Sequence, residues 1–173
     1  KIINLATKKY GIFDNIVIEM ARENNEEDAK KDYIKRQKAN QDEKNIAMEK
    51  AAFQYNGKKE LPDSIFQGHK ELATKIRLWH QQGEKCLYTG KNIPISDLIH
   101  NQYKYEIDHI LPLSLSFDDS LSNKVLVLAT ANQEKGQRTP FQALDSMDDA
   151  WSYREFKSYV KESKLLGNKK KEY

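Results

Sequence analysis

A carboxylate, an imidazole and two carboxamides occur at close spacing between Tyr105 and Gly136. Hydrolysis of a phosphodiester needs a nucleophilic water, charge relief on the phosphoryl oxygens and assistance to the leaving oxygen. A carboxylate and an amide oxygen suit a hard divalent cation, and an imidazole can accept a proton from water. The segment therefore predicts metal-assisted cleavage of a phosphodiester.

Each candidate residue has a separate predicted role. Asp108 and Asn132 are predicted to bind Mg²⁺ through oxygen, because Mg²⁺ keeps several waters and needs few protein ligands. His109 is predicted to accept the proton of the attacking water. Asn123 is expected to brace the intervening loop by hydrogen-bonding its backbone. Lys135 follows Asn132 by one helical turn and is expected to contact the scissile phosphate.

The residues around these groups predict the elements that position them. Lys104–Ile110 and Lys124–Leu128 have the pattern of short strands, and Thr130–Gly136 that of a helix. The aspartate–histidine pair then lies at the end of the first strand, and the second asparagine lies on the helix. The sequence thus predicts a ββα unit that brings the polar groups together.

The flanking sequence predicts helices. Residues 26–55 are rich in Lys, Glu, Gln and Ala and lack Pro and Gly, which predicts one long solvated helix or a pair of helices. Leu72, Ile76 and Trp79 are spaced for an amphipathic helix. The segment Lys85–Gly90 (KCLYTG) predicts a strand that enters a turn. The fold class is therefore α+β and mostly helical, with the ββα core enclosed by helices.

Composition limits the functional classes. The 173 residues are 38% hydrophobic and 32% charged, which suits one modest core with an ionic surface. The longest apolar run, Val125–Ala129, is far shorter than the roughly 20 residues of a membrane helix. No secretory signal opens the chain, and Cys86 is the single cysteine, so we expect a cytoplasmic location and neither a disulfide nor a multi-cysteine zinc site. The net charge of +3 alone is a weak argument for nucleic acid binding.

Because the chain starts at Lys1 rather than Met, we expect it to be a segment of a longer protein.

Two motifs resemble one known family. The pattern D-H-I-x-P, then D-D-S-x-x-N-K-V-L, then an Asn nine residues after the Asn of that block, is similar to the HNH nuclease domain of type II CRISPR RNA-guided DNA endonucleases. The block IVIEMAREN resembles the second RuvC segment of the same enzymes. The resemblance covers essentially the whole chain and implies a ββα-metal HNH core. It also implies a domain plan: a RuvC segment at 1–25, a helical linker arm at 26–55, the HNH domain at 56–165 and the start of a second linker at 166–173.

The resemblance implies hydrolysis of the guide-complementary (target) DNA strand by a single-metal mechanism. Asp108 and Asn132 would be the Mg²⁺ ligands, with Mn²⁺ as a substitute and no zinc. His109 would be the general base and Asn123 a supporting residue. Glu19 matches a metal-binding acidic residue of the RuvC site, whose other segments this chain lacks. The implied partners are the target strand in a guide RNA–DNA heteroduplex, the guide RNA, the other domains of the parent enzyme and a phage inhibitor protein; no membrane is implied.

Two other functions stay open from the sequence. A stand-alone HNH endonuclease of the homing or restriction type would carry the same nuclease motif, but the IVIEMAREN block and the helical arm argue against it. A non-catalytic, basic helical module that binds nucleic acid would tolerate any residue at the position of His109. Such a module would also bind DNA without a divalent ion.

Overall fold

The computed structural model of the chain describes residues 7–11, 26–163 and 166. The chain divides into two compact units, Lys1–Gln37 and Lys38–Tyr173. The IVIEMAREN block, with Glu19, and most of the second linker lie outside the described residues. None of the described helices has the length and apolar character needed to cross a membrane.

One long helix, several short helices and a small two-stranded sheet make up the segment 26–163. The helices are α1 (Glu26–Asn56), α2 (Leu72–Gln81), α3 (Ile95–His100), α4 (Leu113–Ser116), α5 (Ala129–Lys135), α6 (Pro140–Ala143) and α7 (Tyr153–Glu162). The strands are β1 (Tyr105–His109) and β2 (Lys124–Leu128), and 3₁₀ turns occur at Asp63–Phe66, Gln102–Lys104, Leu121–Asn123 and Leu144–Ser146. The mostly helical α+β fold predicted from the sequence is confirmed.

The two strands pair antiparallel in the predicted ββα unit. Tyr105 lies opposite Leu128, and His109 lies opposite Lys124. Because side chains alternate along a strand, Glu106 and Asp108 lie on the same face of β1. Helix α5 begins at Ala129, directly after β2, so a short connection returns the chain across this ribbon. The predicted order of strand, loop, strand and helix is confirmed.

Two buried side chains complete the outer edge of β2. An isolated two-stranded ribbon is only marginally stable, so its unpaired backbone groups need partners. Gln82 is fully buried; its Oε1 accepts from Leu126 N at 2.6 Å, and its Nε2 donates to Leu126 O at 2.7 Å. Cys86 Sγ lies 3.3 Å from Leu128 N. A carboxamide and a thiol thus take the place of a third strand.

The prediction of a strand at Lys85–Gly90 is wrong. This segment forms a turn, with one isolated bridge between Lys85 and Asn92. Its backbone reaches β2 only through Leu87 N, because the side chains of Gln82 and Cys86 already occupy most of that edge. Gly90 has a φ of +67°, and a Cβ there would overlap the ring of Trp151. Glycine is therefore required at this turn.

Helix α1 is one continuous element and is largely solvated, as predicted, but a few of its alanines pack into the core. Ala47 and Ala51, one helical turn apart, are fully buried in the core. Arg77 of α2 donates to Asn40 Oδ1 at 3.0 Å and pairs with Glu43 at 2.8 Å. Alanine is common on solvated helices as well, so the sequence pattern did not distinguish this packed stripe.

Replacing Gln82 by Leu should lower the free energy of unfolding by about 2–3 kcal/mol. Leu126 N would lose its partner in the interior, and Leu126 O would keep only the longer bond from Leu87 N. Urea denaturation followed by circular dichroism measures the change. Gln41→Leu is the matched control, since Gln41 is exposed on α1, and it should change the free energy by less than about 0.5 kcal/mol. Equal losses in the two variants would contradict the role of Gln82.

Candidate active site

Helix α5 crosses the face of β1 that carries Glu106 and Asp108. Asn132 Nδ2 donates to Glu106 Oε2 at 2.7 Å. One helical turn later, Lys135 Nζ lies 2.9 Å from Asp108 Oδ2. The two contacts therefore align α5 along β1, with Asn132 against Glu106 and Lys135 against Asp108.

Two donors engage the same oxygen of Asp108. Tyr88 donates its hydroxyl proton to Asp108 Oδ2 at 2.5 Å, and the ammonium of Lys135 contacts the same atom. Burial, followed by the nearby Asp108 charge, raises the pKa of Tyr88 well above its usual value, so its hydroxyl stays a donor. Asp108 Oδ1 has no hydrogen-bond or ion-pair partner within the described ranges. The carboxylate is therefore anchored by one oxygen and presents the other.

Asn132 is oriented in a comparable way. An amide has a donor end and an acceptor end, whereas an ionised carboxylate only accepts. The bond to Glu106 therefore directs the nitrogen of Asn132 toward β1 and leaves Oδ1 as the available atom. Neither hydrogen bonds nor ion pairs of the described residues involve that oxygen.

The available oxygens of Asp108 and Asn132 fit a hard divalent cation. Mg²⁺ prefers oxygen ligands and can be held by one or two protein groups with water completing the shell. In the described part of the chain, no three His, Cys, Asp or Glu side chains group together as a metal site. The mixed carboxylate and carboxamide pair is thus the candidate cation site that the described residues offer.

Lys135 has an interior position that its place in the sequence does not reveal. Its side chain is only 1% exposed. Besides Asp108, its Nζ contacts His109 O at 3.2 Å and Gly136 O at 3.4 Å. Each proton of the ammonium therefore has an acceptor. These contacts direct Lys135 toward Asp108, and its predicted contact with a scissile phosphate stays a prediction.

His109 ends β1 and has a partly exposed side chain. Its Nε2 lies 2.8 Å from Asp119 Oδ1, and the same oxygen lies 2.8 Å from Lys124 Nζ. Hydrogen bonds from Lys124 and then from His109 lower the pKa of Asp119. The imidazole is thus held at one nitrogen by the carboxylate of Asp119.

Asn123 holds the loop between β1 and β2. It is fully buried, its Oδ1 accepts from Leu111 N at 2.9 Å, and its Nδ2 donates to Leu111 O at 2.9 Å and to Asp118 O at 2.8 Å. Its backbone oxygen accepts from Ile110 N at 2.9 Å. One side chain therefore joins both ends of the loop directly after His109.

Sequence reasoning missed three residues of this site. Glu106 carried a usable signal, because a residue two positions before Asp108 on a strand must share its face. Asp119 lies in the quoted D-D-S pattern, but nothing in that pattern says which carboxylate meets His109. Tyr88 is distant in sequence and lies in the segment predicted as a strand, so no local signal identified it.

Comparisons with known proteins identify the family of this chain. The sequence profile of the HNH endonuclease family matches residues 86–141. Over 173 residues, and 100% of its length, the chain is 75% identical to CRISPR-associated endonuclease Cas9 1 of Streptococcus thermophilus. This chain belongs to the HNH endonucleases of the Cas9 family. The resemblance inferred from the two sequence motifs is confirmed.

Other Cas9 relatives support the same assignment. The chain is 42% identical over 177 residues to the Cas9 of Staphylococcus aureus. A crystal structure of Streptococcus thermophilus Cas9 in complex with the AGAA PAM matches with a TM-score of 0.84 at 74% identity, and covers 99% of this chain and 17% of that one. The chain spans 15% and 16% of the lengths of the two curated relatives. The similarity therefore concerns one part of a Cas9, the part that carries the HNH domain.

Tyr88→Phe should lower the free energy of unfolding of the HNH domain by about 1.5–3 kcal/mol, because a buried donor to a carboxylate is removed. Urea denaturation measures the loss. Tyr103→Phe removes the same hydroxyl from a side chain that is 76% exposed and should cost less than about 0.5 kcal/mol. Equal values for the two variants would show that the Tyr88–Asp108 bond does not stabilise the site.

Proposed function

We propose that this HNH domain hydrolyses a phosphodiester of the guide-complementary (target) DNA strand, with one Mg²⁺ held by Asp108 and Asn132 and with His109 as the general base. The observation that carries the proposal is a pair of available Oδ1 atoms on two neighbouring elements. One belongs to Asp108, directly before His109 on β1, and the other belongs to Asn132 on α5. Mn²⁺ has the same preference for oxygen ligands and is expected to substitute.

The side chains around the cation ligands keep them in place. Tyr88 and Lys135 hold Oδ2 of Asp108, and Glu106 holds the amide nitrogen of Asn132. When bound, a divalent ion of this kind relieves charge on the phosphoryl oxygens and assists the leaving oxygen. Because the protein side chains are already oriented, cation binding requires little rearrangement of the ligands.

His109 provides the base for the nucleophile. It lies directly after Asp108, so a water near the cation ligands is also near the imidazole. The imidazole takes a proton from this water while the water oxygen forms a bond to phosphorus. The bond from phosphorus to the leaving oxygen breaks, and that oxygen takes a proton from solvent.

The rest of the substrate and partner assignment is also a proposal, because the chain covers only part of its relatives. We propose a guide RNA–DNA heteroduplex as the substrate, a Cas9-like parent enzyme in the bacterial cytoplasm, and a phage inhibitor protein as a further partner. Glu19 would bind metal only within the RuvC site of the full enzyme. We propose that residues 26–55 form the helical linker arm, whose last turns pack into the core through Ala47 and Ala51.

His109→Ala should abolish target-strand cleavage in the full-length protein while the fold is retained. The reason is that the substitution removes the proton acceptor, whereas the imidazole makes few stabilising contacts. Cleavage of an end-labelled target strand measures the effect, with His69→Ala as the control because His69 is exposed on another part of the unit. Unimpaired cutting by His109→Ala would contradict the assignment of the base. DNA binding without cleavage or divalent-ion dependence in the unmodified protein would favour the non-catalytic module.

Asp108→Ala and Asn132→Ala should each weaken Mn²⁺ and Mg²⁺ binding by about tenfold or more, since even outer-shell partners of a metal contribute that much. Isothermal titration calorimetry measures the affinity, and Asp63→Ala serves as a control because this exposed carboxylate lies in the 3₁₀ turn Asp63–Phe66, outside the ββα unit. Chelation of divalent ions should stop cleavage. Titrations that do not change would remove both residues as ligands.

A further inference from the structure

Asp119 contacts the ring of His109 from a loop that is fixed on both sides of it. His109 Nε2 lies 2.8 Å from Asp119 Oδ1. On one side, the buried Asn123 donates to Asp118 O at 2.8 Å. On the other side, Ser120 N donates to Asp118 Oδ1 at 2.9 Å. The backbone that carries Asp119 is therefore held in place, although its side chain is 68% exposed.

Lys124 holds the carboxylate of Asp119 from the opposite strand. Lys124 is the register partner of His109 in the β1–β2 ribbon, so their side chains are neighbours. Its Nζ lies 2.8 Å from the same Asp119 oxygen that meets His109. This contact is also the main cause of the lowered pKa of Asp119. Asp119 is therefore an ionised carboxylate, which can only accept hydrogen bonds.

An acceptor-only partner determines which nitrogen of His109 carries the proton. A neutral imidazole has one N–H and one unprotonated nitrogen, and the two tautomers exchange unless a neighbour selects one. A carboxylate at Nε2 requires the proton on Nε2 and leaves the lone pair on Nδ1. We propose that Asp119 is a positioning residue for His109, which fixes the Nε2–H tautomer and the ring orientation so that Nδ1 accepts the proton of the attacking water.

This inference rests on the proposed function and gives Asn123, which holds the loop between β1 and β2, an indirect role in it. The water proton moves to Nδ1, the water oxygen bonds to phosphorus, and the leaving oxygen departs with its electron pair and takes a proton from solvent. The imidazolium keeps its Nε2–H bond to Asp119, whose charge stabilises the positive ring, and then returns the Nδ1 proton to water. Asn123 acts on the base indirectly, because it holds the loop that presents Asp119.

Single-turnover cleavage by the full-length protein, at saturating DNA and Mg²⁺, tests the effect on rate. Asp119→Ala should slow cleavage by about 10- to 100-fold, as for other partners that orient a functional side chain, with unchanged DNA affinity and an unchanged melting temperature. Asp119→Glu keeps an acceptor-only carboxylate and should recover most of the lost rate, whereas Asp119→Asn can both donate and accept and should recover less. Asp148→Ala, which removes an exposed carboxylate elsewhere, should cleave like the parent protein.

Nitrogen-15 spectra of histidine-labelled protein test the tautomer directly. The chain has four histidines, so the signals of His109 can be assigned by their loss in His109→Ala. At about pH 8, where an imidazole is neutral, His109 should show a protonated Nε2 and an unprotonated Nδ1. In Asp119→Ala the two nitrogen shifts should move toward each other, because the tautomers then mix.

The outcomes separate this inference from the proposed function. If His109→Ala still cleaves, the role of His109 as base fails, whatever Asp119 does. If His109→Ala is inactive but Asp119→Ala keeps both its rate and its nitrogen-15 pattern, only the positioning role is overturned. A rate loss that follows a loss of DNA affinity with an unchanged tautomer also overturns it. So does full recovery of the rate by Asp119→Asn together with none by Asp119→Glu.

Discussion

A buried ammonium group must find an acceptor for each of its protons, and the arrangement of the HNH core follows from this requirement at Lys135. Its acceptors come from Asp108, from the end of β1 and from the end of α5. Burying such a charge without its partners would cost several kcal/mol. A shift of α5 by one turn along β1 would separate Lys135 from Asp108 and Asn132 from Glu106 together. The ion pair thus specifies how the helix is placed on the ribbon.

The three carboxylates around the site have different functions because their partners differ. Asp108 is held at one oxygen and presents the other, whereas Glu106 and Asp119 each face a side chain with two chemically distinct ends. An amide and an imidazole can both be reversed without a change of shape, so contacts by shape alone do not orient them. A neighbour that can only accept hydrogen bonds does orient them. This role accounts for Glu106 and Asp119, the two carboxylates present besides Asp108.

Local pattern predicted the elements and the main candidates, while long-range packing supplied what was missed. An alternating pattern indicated β1, and a short Val/Leu run indicated β2. Because the connections to α5 are short, it was predictable that Asp108 and Asn132 would lie on neighbouring elements. The burial of Lys135 was not predictable, because a lysine in the last turn of a helix usually faces solvent. The contact of Tyr88 with Asp108 depends on a turn that was predicted as a strand, since nothing local showed that Gln82 and Cys86 would complete the edge of β2. The choice of Asp119 over its neighbour depends on loop geometry alone.

The contacts of Gln82 have a consequence for assembly. An exposed strand edge offers a template onto which a segment of another chain can add, and proteins protect such edges in several ways. Here the side chain of Gln82 occupies both backbone groups of Leu126 from within the same chain. The ribbon is therefore closed to strand addition along β2, which protects it from aggregation by that route. Other surfaces of the domain can in this way meet a binding partner without this edge recruiting a strand from it.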